Sequence, residues 1–106
     1  MGAKLNSYSV NINGVSSTDL AQISDSRGSV LHMLRSDSED FVGFGECYFS
    51  EVLPGSIKAW KYHNLQIQNI AVPVGHLRLV IYDGRALSKT YGNLLEFELG
   101  RPSAYK

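Results

Sequence analysis

Nine consecutive residues, Gly55-Ser56-Ile57-Lys58-Ala59-Trp60-Lys61-Tyr62-His63, carry two ammonium groups, an indole, a phenol and an imidazole, and Gln66, Gln68 and Asn69 follow closely. Such a set can hold an anion, stack on a planar ring and hydrogen-bond hydroxyls, which are the three needs of a sugar phosphate or sugar nucleotide. His63 is the best lone acid–base candidate, because an unperturbed imidazole titrates at about pH 6.5. Arg27, in Asp25-Ser26-Arg27-Gly28, adds a further cation. On a regular strand Lys58 and Lys61 have opposite parity, so only one of them points into a given pocket unless a bulge intervenes.

Each of these residues also has a plainer reading. His63 reads equally as a hydrogen-bonded surface histidine at a strand end, and Trp60 as part of a core or of a subunit interface rather than a wall for a ring. His32 stands between Leu31 and Met33 and faces away from both, whereas His76 follows Gly75 in a turn and is expected to be exposed. His32, His63, His76 and Glu46 lack the two-residue spacing that sets a pair of ligands on one strand face, and Cys47 is the only cysteine, so no metal and no cofactor is expected. Cys47 itself reads as a small buried thiol in the alternating segment Glu46-Cys47-Tyr48-Phe49. No glycine-rich turn leads into a helix, so there is no phosphate loop, dinucleotide fingerprint or serine nucleophile elbow.

Around these residues the chain is 106 residues long, 43% hydrophobic and 19% charged, the composition of a single folded domain over residues 1–106. Ten basic side chains balance ten acidic ones, so no net field recruits nucleic acid or an anionic membrane, and an anionic ligand must be held by a local cluster. The longest apolar run, Leu77 to Tyr82, is interrupted by Arg78 and too short to span a bilayer. No apolar leader follows the N-terminus, and a cytoplasmic location is the expectation.

The elements that must position the candidates are strands. Alternation or apolar runs predict them at Tyr8–Asn13, Val30–Leu34, Phe44–Val52, Ser56–Tyr62, Gln68–Val72, Leu77–Tyr82 and Leu94–Leu99. Turns are expected at Gly14, Asp25–Gly28, Pro54-Gly55, Gly75 and Asp83-Gly84. Ser17-Thr18-Asp19-Leu20 could cap one short helical turn, and Pro102–Lys106 reads as the approach to a further strand. Short strands with Gly and Pro punctuation argue for an all-β sandwich or a partly closed barrel.

Asp25-Ser26-Arg27-Gly28, the segment Phe44–Ser50, Pro54 to His63 with Gln66, Gly75-His76-Leu77-Arg78-Leu79-Val80-Ile81-Tyr82-Asp83-Gly84-Arg85, and Ser88-Lys89-Thr90-Tyr91-Gly92 occur in the order in which the dTDP-4-dehydrorhamnose 3,5-epimerase family carries its motifs. From about Asp25 onward the chain resembles that family, most of all its epimerase-like branch of nucleotide-sugar proteins. The resemblance implies a cupin, an RmlC-like antiparallel jelly roll or double-stranded β-helix, shortened here at the C-terminus, and a homodimer or higher homo-oligomer. It implies phosphate contacts from Arg27 and Lys58, a pocket lined by Glu46 to Ser50, and substrate contacts at Gln66 and Gln68. Trp60 and Tyr62 complete the ligand-contacting stretch.

The family's base is a histidine that falls on Lys61. Epimerisation beside a ketone needs one group to remove a carbon-bound proton and another to reprotonate the enolate. A lysine does this only if burial or a neighbouring cation lowers its pKa by several units from about 10.4. Beside phosphates Lys61 is a better anion anchor, and His63, two residues on and on the same face, could take over the proton transfer. The family's second catalytic strand and its tyrosine acid lie beyond Lys106; Tyr62, Tyr82 and Tyr91 are phenols, but none matches that acid by motif. The expected function is therefore binding of a small anionic sugar or nucleotide-sugar ligand with impaired or absent epimerase chemistry. The alternatives are a cofactor-independent 4-keto-6-deoxyhexose epimerase using His63 or Lys61, and an oligomeric structural domain.

Overall fold

The computed structural model describes residues 11–106. The chain is all-β: β1 (Gln22–Asp25), β2 (Gly28–Leu31), β3 (His76–Tyr82) and β4 (Leu94–Gly100) form two antiparallel two-stranded sheets, β1 with β2 and β3 with β4. Residues 11–33 and 70–106 form one compact unit, and residues 34–69 form another.

In the first unit the sequence pattern and the pairing agree residue by residue. Along β4, Leu95, Phe97 and Leu99 are buried while Leu94, Glu96 and Glu98 are exposed, as a period of two requires. The register sets Leu77 opposite Leu99, Leu79 opposite Phe97 and Ile81 opposite Leu95, so both strands present the same apolar face. That face closes on Ile12 and Val72, with Val15 packed against it. A shift by one residue would turn the whole set to solvent, and this fixes the register. On the outer face Arg78 and Glu96 approach to 3.9 Å, an exposed pair of little energetic weight. At the far end of the ladder Gly100 faces His76, and a Cβ there would strike the imidazole and come within 2.7 Å of the Gly75 carbonyl oxygen.

The loop joining β3 to β4 is organised by Asp83, whose carboxylate is almost fully buried. It accepts from the Arg85 guanidinium at 2.8 and 3.0 Å, and from the Ser88 and Thr90 hydroxyls at 2.6 Å each. Arg85 also donates to the Asn13 carbonyl at 2.7 Å, and Thr90 Oγ1 accepts from the Asn13 amide, which ties the segment before the Gly14 turn to this loop. Hydrogen bonds from Arg85, Ser88 and Thr90, in that order, hold the Asp83 carboxyl far below the usual carboxylate range.

The β1–β2 hairpin turns through Ser26 and Arg27, and Gly28 at φ 146° takes a backbone conformation that a side chain would disfavour. Its base is held by Tyr105, whose carbonyl accepts from the Leu20 amide at 3.0 Å and whose hydroxyl donates to the His32 carbonyl at 2.6 Å. His32 is half-buried and contributes its backbone here rather than its ring.

The second unit departs from the sequence-based expectations. Phe44–Val52 and Ser56–Tyr62 are not strands, nor is Gln68–Val72 at the junction of the two units. The backbone hydrogen bonds within this unit are those of turns: Ser38 to Arg35, Phe41 to Ser38 and Ser56 to Leu53. Alternation favours an extended backbone, but a strand also needs a ladder partner, and no described residue supplies one. The Pro54-Gly55 turn is present, with Gly55 at φ 79°. Cys47 is exposed rather than buried, for the same reason: the strand that would have turned it inward is absent.

Smaller differences follow the same logic. The strand expected over Val30–Leu34 runs instead over Gly28–Leu31, starting directly from the turn. No helical turn forms at Ser17–Leu20. Pro102–Lys106 is a turn in which Ala104 pairs back onto Gly100 through two 3.0 Å hydrogen bonds. Half of the expected Tyr8–Asn13 strand lies outside the described residues, and the described half, residues 11–13, is not strand, although its closing turn is seen, with Val15 N donating to Ile12 O at 3.0 Å.

Asp83 has a folded-state pKa below its unfolded one, so its stabilising effect is present above the ordinary value near 3.8 and is lost as pH falls below it. Asp83→Asn should therefore lower the urea midpoint clearly at pH 7, and the gap between variant and parent should shrink by pH 3. A gap that is equal at both pH values would show that charge at Asp83 does not organise the loop.

Candidate functional site

The first unit contributes Arg27. As the second residue of a two-residue hairpin loop it is carried outward by the turn, and its side chain is 88% exposed. Asp25 fixes it twice: Oδ1 accepts from the Arg27 backbone amide at 2.8 Å, and Oδ2 from Nη2 at 2.7 Å. The first bond is a local Asx-type closure of the turn and the second an exposed ion pair. The Arg27 side chain, and then its amide, hold the Asp25 carboxyl below its ordinary value. Ile23, Asp25, Arg27, Gly28, Ser29 and Val30 line an open hollow of about 280 Å³ over this hairpin. An anion entering it meets a guanidinium whose partner is a solvent-exposed carboxylate, so the cation can be shared or exchanged at small cost.

The second unit contributes the other candidates. The Leu53–Ser56 turn brings Lys58 back toward Ser50 and Glu51, and Nζ donates to Ser50 Oγ and to the Glu51 carbonyl at 2.9 Å each. An ammonium has three donors, so one remains for a ligand. The Gln68 side-chain amide nitrogen lies 3.2 Å from His63 Nε2. With that amide donating, Nε2 accepts and the ring proton sits on Nδ1, which orients the imidazole through a neighbour that carries no charge.

Trp60 and Tyr62 are 67% and 81% exposed, so neither is a core residue of this unit. Glu46, Lys61 and Gln66 are exposed as well. The expected opposite parity of Lys58 and Lys61 has no strand to act through. Lys61 is exposed to solvent. Thus Lys58 meets Ser50, and His63 meets Gln68, while Glu46, Trp60, Lys61, Tyr62 and Gln66 stay apart from one another's hydrogen-bonding groups among the described residues.

Sequence reasoning passed over Asp25 and Ser29. Asp25 was legible, because an Asp two residues before an amide in a tight turn is a standard acceptor; Ser29 becomes visible only once the hairpin register is known. Among the described residues no group of three or more His, Cys, Asp or Glu side chains lies close enough to hold a metal ion, and none of them forms a helix long and apolar enough to cross a membrane.

Comparison with known proteins gives these residues a context. No family model matches the chain. It is 37% identical over 89 residues to the spore coat polysaccharide biosynthesis protein SpsL of Bacillus subtilis, covering 84% of this chain and 59% of SpsL. It is 36% identical over 92 residues to a Haloferax volcanii protein named "Probable low-salt glycan biosynthesis epimerase Agl13", covering 85% of this chain and 59% of that protein. The crystal structure of a dTDP sugar isomerase from Desulfovibrio desulfuricans G20 superposes with a TM-score of 0.81 at 49% identity, over 89% of this chain and 60% of the isomerase. The chain thus spans about three fifths of the length of the proteins it matches. Over that span it belongs with the RmlC-like cupins, as a homologue of the dTDP sugar isomerase and of the polysaccharide and glycan biosynthesis proteins SpsL and Agl13.

Proposed function

We propose that this chain binds a nucleotide sugar or a related small anionic sugar without carrying out epimerisation itself, with Arg27 as the anion anchor of the first unit and, taken separately, Lys58 as an anion anchor and Trp60 as a face for a planar ring in the second. The observation that carries the proposal is Arg27: a guanidinium presented 88% exposed at the tip of a glycine-assisted turn, over an open hollow, with its backbone already fixed by Asp25. The 49% identity to a protein described as a dTDP sugar isomerase supplies the ligand class. Lys61, where the resemblance to the epimerase family places a histidine base, is solvent-exposed, which favours holding a ligand over proton abstraction.

The second reading, a cofactor-independent epimerase, rests on His63. Its ring is exposed, and the Nε2 that would take the proton accepts from the Gln68 amide, so His63 acts as a base only where a substrate displaces Gln68. The two readings differ in one measurable event, exchange of the proton next to the sugar ketone with solvent.

Titration of the chain with dTDP-glucose should show saturable binding, with Arg27→Ala and Lys58→Ala each weakening it by about tenfold, the scale of one charge-assisted contact. Asp25→Asn keeps the acceptor for the Arg27 amide but removes the competing charge, and it should tighten binding by about threefold. In D2O a 4-keto-6-deoxy dTDP-sugar should gain no deuterium beside the ketone. Incorporation abolished by His63→Gln or Lys61→Gln would establish the epimerase reading instead, and absence of binding across a panel of nucleotide sugars would leave a structural domain.

A homodimer or higher homo-oligomer is part of the same proposal. Phe44, Phe49, Ile57, Leu65 and Ile67 of the second unit are each at least 66% exposed, more apolar surface than a stretch of 36 residues keeps without a partner. The chain should sediment above its 11.7 kDa monomer mass at micromolar concentration, and Phe49→Glu, at a side chain 95% exposed in the single copy, should shift it toward the monomer. Sedimentation as a monomer at all concentrations would refute a self-assembled form.

A further inference from the structure

We propose that Arg101 is a positioning residue for the anion-holding face of the β1–β2 hairpin, acting through Gln22 and Ser29 without touching the ligand. This rests on the reading of Arg27 as an anion anchor.

The geometry that assigns this role spans both strands of the hairpin. Arg101 Nε donates to Gln22 Oε1 at 3.0 Å and Nη2 donates to Ser29 Oγ at 3.1 Å. Gln22 lies on β1 and Ser29 on β2, so one planar fork links the two strands side chain to side chain. Because a guanidinium only donates, Gln22 must turn its oxygen toward it. The amide nitrogen then faces the Pro102 carbonyl, to which it donates at 2.7 Å, and both ends of the side chain are satisfied in a single orientation. Ser29 Oγ is also 2.6 Å from Ser24 Oγ across the ladder, in the pair next to Asp25 and Gly28 that closes the Arg27 loop.

The other end of this chain of bonds is anchored. Arg101 follows Gly100, the last residue of β4, and the turn it occupies is closed by the paired Gly100 and Ala104 hydrogen bonds. A two-stranded hairpin of four pairs is marginal in isolation. Ser29 lines the hollow beside Arg27, so any loosening of β2 moves the wall of the proposed site. Arg101 itself does not line it, which separates positioning from contact. Lysine could not replace it, since a single ammonium on a flexible stem lacks the fixed fork that reaches both strands.

The test uses the full chain and dTDP as the probe. Arg101→Ala should speed amide hydrogen exchange over residues 28–31 by about tenfold, with β3 and β4 unaffected, and weaken dTDP binding by about fivefold, the scale of a lost hydrogen bond. Ser29→Ala, which removes one arm without disturbing the turn at Gly100, should give part of both effects, and Arg101→Lys should restore neither. In an Arg27→Ala background, Arg101→Ala should add no further loss of binding, because its effect passes through the hairpin that presents Arg27. Additive losses would mean that Arg101 contacts the ligand directly, and unchanged exchange would mean that it does not brace the hairpin; either result overturns the proposal. If Arg27→Ala alone leaves dTDP binding intact, the anchor reading fails, and the exchange experiment still decides whether Arg101 holds the hairpin.

Discussion

The antiparallel ladder between β3 and β4 is the constraint on which the first unit depends. Its register sets Leu77, Leu79 and Ile81 on the same face as Leu95, Phe97 and Leu99, and so makes the core. At one end of it the chain must reverse between Tyr82 and Leu94, which is the task of the buried Asp83 and its donors. At the other end Gly100 passes so close to His76 that no side chain fits, and the turn that follows delivers Arg101 and Tyr105 to the β1–β2 hairpin. Core, loop and hairpin brace are thus consequences of one pairing.

The charged groups divide by how much water they retain. Asp83 has exchanged its hydration for Arg85, Ser88 and Thr90, and such a carboxylate becomes a costly orphan if its donors are removed. Asp25 and Arg27 make equally short contacts in full view of solvent, where an ion pair is weak and replaceable. The same chemistry therefore serves closure of a loop in one place and presentation of a cation in the other. Screening by water, rather than distance, separates the two roles.

In the first unit the long ladder and the turns were legible in the sequence, whereas β1, which has too few residues to show a pattern, was not expected. Leu77–Tyr82 and Leu94–Leu99 alternate over enough residues to declare both a strand and its buried face, and Asp83-Gly84 and Asp25–Gly28 carry the turn chemistry found there. Phe44–Val52 and Ser56–Tyr62 are also rich in the residue types of strands, yet they form no ladder. Period-two patterning reports which side chains would share a face; it says nothing about whether a neighbouring backbone is available to pair. The resemblance to the sugar epimerases was legible from the order of several short motifs, none of them informative alone, and the superposition with the dTDP sugar isomerase agrees with it.

What the sequence by itself determined is local: the all-β character, the two long strands, the turns and the inventory of cations and aromatics, because each follows from interactions between residues close along the chain. What only the tertiary structure decided is non-local. Arg101 reaches back over more than seventy residues to Gln22 and Ser29, as Arg85 does to Asn13 and Tyr105 to His32. Such contacts depend on which backbones come to lie side by side, and no spacing within a segment encodes that.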